Sequence, residues 1–202
     1  MCVNHQKNEE ELMRLMHLLV DLAEDAKGTG HTDERYQDAE GLGLKVFCHV
    51  ASALYLSRST TLLDFPGVRV SFFDPASFAV LTRAAMEAFL TFHLVFVHPE
   101  SEAEFEFRYC AWKRFGLLER QSFPVSTEEG RALQEQEAAI IREYEEQLRA
   151  SAIVQGLPPK QKRRLDGEVW RWDLFSNKKR LSWPDIGEMA GLSRVYASHL
   201  YG

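Results

Sequence analysis

Between Asn8 and Lys27 the apolar residues fall at Leu12, Leu15, Met16, Leu19, Leu22, Ala23 and Ala26. This three-and-four spacing gathers them on one stripe of a helix and predicts that the stripe is buried. Gly28-Thr29-Gly30 closes that helix. A second helix is expected from about Glu34 to Leu63, with Gly41 and Gly43 delaying or bending its start. Asp64 to Asp74, which holds Pro66 and Gly67, reads as a connection. Asp74-Pro75 then signals a helix start: the Asp side chain can accept from the free N–H groups of the first turn, and proline is preset for the first helical position. The helix runs to about Val97 and stops before Pro99. Ser101-x-x-Glu104 and Ser126-x-x-Glu129 have capping-box spacing and open two further helices. The first carries Phe105, Tyr109, Trp112 and Leu117, and the second runs through Ile140, Ile141, Tyr144 and Leu148 to end near Gly156.

Beyond Leu157-Pro158-Pro159 the pattern shortens and the composition turns basic and tryptophan-rich. Short helices are expected at Lys160–Leu165, at Pro184–Ala190 and from Ser193 onward. No stretch alternates convincingly with the period of a strand. The predicted architecture is all-α, a helical bundle of about five long helices over residues 1–157 followed by a small helical subdomain over 158–202.

Composition agrees with a packed core. Hydrophobic residues make up 45% of the 202 and charged ones 27%, and a chain of this length buries roughly 70% of its unfolded surface. The net charge of −6 disfavours a general nucleic-acid coat or a membrane-surface binder. From Lys160 to Arg194, however, nine Lys/Arg face five Asp/Glu, so the C-terminal fifth is locally basic. Cys2, Cys48 and Cys110 are odd in number and lack C-x-x-C spacing, which points to free thiols in a reducing cytoplasm. Glu9, Glu10 and Glu11 stand where a signal peptide would need an apolar run.

The segment Phe78–Val97 is long enough to span a bilayer, yet it holds Arg83, Glu87 and His93. A charge at membrane depth costs about 3 kcal/mol on insertion scales, so a central core helix surrounded by protein is expected. Arg83 and Glu87 stand one turn apart, about 40° around the axis, and are expected to form a buried pair that fixes helix register or organises a polar centre. His93 lies about 80° from Arg83 around the helix.

Several of these residues carry a resemblance. Asp74-Pro75-Ala76-Ser77, Arg83-Ala84-Ala85-Met86-Glu87, Glu104 to Arg108, Trp112 and Arg120, with Trp183, Ile186, Ala190-Gly191 and Tyr196 near the end, resemble a family of uncharacterised bacterial all-helical proteins. The resemblance covers most of the chain from Phe72 onward and implies the fold without an activity. Chains of that family continue with a further polar helix containing Ser and His, so the resemblance implies that this chain stops early.

Di-iron bundles need Glu-x-x-His, and no His here has Glu three residues before it; H-E-x-x-H, G-x-S-x-G, a phosphate-binding loop and G-x-G-x-x-G are also missing. Cys48 and His49 diverge by about 100° on a helix and suit no shared metal. No metal or cofactor is expected. Arg194 and His199, four residues between them, resemble the R-x(4–6)-H signature of the higher-eukaryote-and-prokaryote nucleotide-binding helical ribonucleases. That resemblance implies a catalytic pair at a phosphodiester, with His as general acid or base, although Val195 replaces the usual polar neighbour. Asp185 to Leu200 resembles the helix-turn-helix of repressors of the lactose-repressor type. There Ser193 would cap a recognition helix, and Arg194 and Tyr196 would face the major groove. Gly187 and the short second helix depart from that pattern. The aromatic and basic residues of Lys160–Arg180 suit either a polar face over packed tryptophans or stacking on single strands. The expected function is a non-enzymatic cytoplasmic regulatory or interaction module centred on Arg83 and Glu87, with a DNA-binding regulator and a helical ribonuclease as alternatives. The partners to consider are a second copy of the chain and nucleic acid at the basic C-terminal segment, with no membrane.

Overall fold

The computed structural model describes residues 5–26, 33–62, 70–162, 170–171 and 180–199. These are all-α apart from one short hairpin, and they fall into two compact units, Met1–Thr91 and Phe92–Gly202. The expected start of the C-terminal subdomain at 157/158 lies within the second unit, and the segment beyond it packs on that unit's helices as described below.

In the first unit, α1 (His5–Ala26) and α2 (Glu34–Ser57) run antiparallel, because Arg58 Nε at the end of α2 donates to Glu9 Oε1 near the start of α1 at 2.8 Å. Asp33 caps α2: its carboxylate accepts from the Arg35 N–H at 2.9 Å and pairs with the Arg35 guanidinium at 2.6 Å. Gly41 and Gly43 neither delay nor break the helix, and the space beside both is open. α2 stops short of the expected Leu63. Ser59 sits at φ 69°, a left-handed conformation that cannot continue a right-handed helix. The chain then forms β1 (Thr60–Leu62), antiparallel to β2 (Val70–Phe72), with Thr60 opposite Phe72. Strands of three residues are too short to show a period-two pattern, which is why the sequence read as a connection. α3 (Pro75–Phe92) starts where expected: the Asp74 carboxylate accepts from the N–H groups of Ala76 and Ser77 at 3.1 and 3.0 Å.

The second unit opens with a π-turn, His93–Val97, in which the His98 N–H reaches back five residues to the His93 carbonyl at 2.8 Å. Leu94 and Val95 are fully buried there. Phe96 meets the rings of Phe105, Tyr109 and Trp112 with centroids 5.9, 6.1 and 5.9 Å away. α4 (Glu102–Gln121) and α5 (Glu128–Ala150) form an antiparallel pair. Ser101 caps α4 as expected, accepting from the Glu104 N–H at 3.3 Å. The cap of α5 is Thr127 rather than Ser126, with Thr127 Oγ1 accepting from the Gly130 N–H at 3.1 Å. Ser151, at ψ 135°, ends α5 before the short α6 (Ala152–Gly156), and α7 (Pro159–Lys162) follows.

Phe107, Cys110, Ala111, Leu148 and Val154 make the core between α4, α5 and α6, with Tyr144, Ile153 and Trp170 packed against it. Trp170 also meets Phe115 at 6.3 Å, and the Arg171 carbonyl accepts from the Leu181 N–H at 2.9 Å. These contacts bind the tryptophan-rich segment to the α4–α5 pair. α8 (Trp183–Met189) and α9 (Arg194–His199) complete the described chain. Trp172 and Phe175, in the aromatic and basic stretch Lys160–Arg180, lie outside the described residues.

Removing the side chain of Phe107, only 2% exposed, is expected to cost about 3–5 kcal/mol in urea unfolding. Leu133→Ala on the open side of α5 should stay within about 0.5 kcal/mol of wild type.

Candidate functional site

Arg83 and Glu87 do pair, with Nε to Oε1 at 2.9 Å, but not in a buried centre: their side chains are 55% and 34% exposed. α3 buries Ala85, Leu90 and Thr91 while Val80 stands in the open. A helix apolar on every side carries no phase that says which side packs, so its composition alone misplaced the pair. Pro75–Val97 is, by length and composition, long and apolar enough to cross a membrane.

The buried charges lie one helix later. Glu104 and Arg108 pair at 2.8 Å with side chains 4% and 2% exposed. The local sequence builds this pair from the cap upward. Ser101 holds the Glu104 N–H, the other oxygen of the Glu104 carboxylate accepts from the Glu100 N–H at 3.2 Å, and Arg108 stands one turn on. Further along the α4–α5 seam, Arg114 reaches Glu145 at 2.8 Å. The buried Glu137 accepts from Gln121 at 3.2 Å and pairs with Arg120 at 3.0 Å. The Cys110 thiol donates to Gln147 Oε1 at 3.2 Å. These carboxylates are engaged by guanidinium or amide groups, an arrangement that sets register and pairing rather than offering a base to a substrate. Glu104-x-x-x-Arg108 has the same spacing as Arg83-x-x-x-Glu87, and only the packing distinguishes them.

His93 of the π-turn stacks near His98, centroids 5.9 Å apart. Burial first, and then the neighbouring His98, hold the His93 imidazole below its ordinary range.

At the C-terminal end two short helices, α8 and α9, are joined by a tight turn. Ser182 and Asp185 form a capping box, with Asp185 accepting from the Ser182 N–H at 2.9 Å and Ser182 Oγ accepting from the Asp185 N–H at 3.3 Å. The Ser182 hydroxyl is the main cause that lowers the Asp185 carboxyl below its usual range, with Arg194 adding to it. α8 closes in a Schellman turn: the Leu192 N–H donates to the Gly187 carbonyl at 2.8 Å and the Gly191 N–H to the Glu188 carbonyl at 3.0 Å. Gly191, at φ 78°, takes the left-handed position. Ser193 precedes α9 and is exposed. Arg194 is exposed too, but its guanidinium is tied to Glu188 at 2.7 Å and Asp185 at 3.3 Å. Tyr196 and His199 lie on α9, with side chains outside the described residues. Nearby, Arg171 stacks on Trp183 at 4.2 Å and on Trp170 at 6.0 Å, so one of the region's basic groups serves packing.

The remaining feature is α1. Among the described side chains of its predicted stripe Met16 is buried and Leu12 half-buried, while Leu15, Leu19 and Leu22, with Leu18 and Val20 nearby, are 42–56% exposed. Every residue from 17 to 25 is exposed. The spacing correctly gathers the leucines on a helix, but a stripe records a need for burial and not what covers it. Among the described residues no group of three or more His, Cys, Asp or Glu is placed to hold a metal.

Two predictions follow from the charges. Glu104→Ala removes the carboxylate that the buried Arg108 bonds at 2.8 Å and should cost about 3–5 kcal/mol, whereas Arg83→Ala should cost no more than about 1 kcal/mol, both read by denaturant unfolding. For His93, a folded-state pKa below the unfolded value means the unfolded chain binds more protons. Stability should therefore fall as pH drops below about 6.5, and His93→Gln should flatten that part of the profile of unfolding free energy against pH.

Comparison of this chain with family models, with curated proteins and with solved structures finds no match to any of the three.

Proposed function

We propose that this chain is a non-enzymatic interaction module of the cytoplasm, in which the second unit is a scaffold held by buried ion pairs and the first offers the apolar face of α1 to a protein partner. The observation that carries the reading is the exposure of Leu15, Leu18, Leu19 and Leu22 on one face of one helix. Single exposed leucines are ordinary, whereas a contiguous row is the usual mark of an interaction surface. The engagement of Glu104, Glu137 and Glu145 by Arg108, Gln121, Arg120 and Arg114 favours a structural role for the polar seam over catalysis.

The DNA-binding reading has one observation in its favour, the glycine-closed turn between α8 and α9. Against it, Arg194 is held by two carboxylates on the preceding helix, and a phosphate or base edge would have to displace them. If it holds, duplex binding weakens with salt and is lost in Arg194→Ala.

The module reading is tested by Leu19→Lys/Leu22→Lys. At sub-micromolar protein the double variant should keep its far-ultraviolet circular dichroism and unfold within about 0.5 kcal/mol of wild type, as substitutions outside a core do. Loss of the cooperative transition in the variant would place these leucines in the core and end the reading.

A further inference from the structure

We draw no further inference here: the strongest candidate, the exposed leucine face of α1 formed by Leu15, Leu18, Leu19 and Leu22, belongs to the surface already described, and nothing in the structure shows what covers it.

Discussion

The second unit depends on how the first turn of α4 is assembled. Glu104 accepts from a backbone N–H ahead of the helix, receives its own N–H partner in Ser101, and holds Arg108. Burying two charges is costly, and the loss is offset only when geometry is close and the leftover lone pairs are bonded. Both conditions are met here, so the start and rotational setting of α4 are tightly specified. Glu104, Phe107, Arg108, Ala111 and Arg114 then follow at helical spacing as one buried stripe. The same rotation that hides the ion pair presents Phe107 and Ala111 to Leu148 and Val154, and Arg114 to Glu145.

That stripe also explains what the sequence showed and what it hid. Two element starts were legible from the short polar side chain that precedes the helix, Asp74 and Ser101 capping as their spacing implies, whereas at α5 the cap is Thr127, one residue on from the Ser126 that the spacing marks. Burial direction was not legible. Phe78–Val97 looks like a core because it is apolar, yet without a polar side it has no phase, and Arg83–Glu87 came out half in water. α4 looks like a surface helix because its buried stripe contains charges. Two pairs of identical spacing thus exchanged roles, since local spacing determines who can pair and tertiary packing determines whether the pair is wet or dry. The π-turn is illegible for a related reason: one extra residue within a helical run leaves the apolar composition unchanged while shifting Phe96 toward Phe105, Tyr109 and Trp112.

The C-terminal segment separates shape from chemistry. A glycine in the left-handed region, the Ser182 cap and a buried Ile186 make two short helices joined by a tight turn; the helices were expected at these places, but the Ser182 cap was not among the signals read. The electrostatic character was not legible, because it depends on Arg194 folding back across the turn to Glu188 and Asp185. Likewise the basic composition overstated the charge available, since Arg171 lies against two indole rings. A count of lysines and arginines measures potential contact with phosphate only after the internal partners are known.

The two units also differ in how completely they satisfy themselves. In the second, the described buried charges meet opposite charges and Phe107, Leu94, Val95 and Ile186 are sealed from water. In the first, α1 keeps its leucines in solvent. An isolated helix of about 20 residues is marginal in water, and most helical stability comes from covering an apolar face. A helix whose sequence carries a regular leucine seam, and whose own unit leaves that seam open, is therefore stabilised further by whatever covers it. Binding and helix order become linked quantities: a partner that occupies the seam lowers the free energy of the folded first unit by its own binding free energy, so the helix is firmest where the complex is most populated.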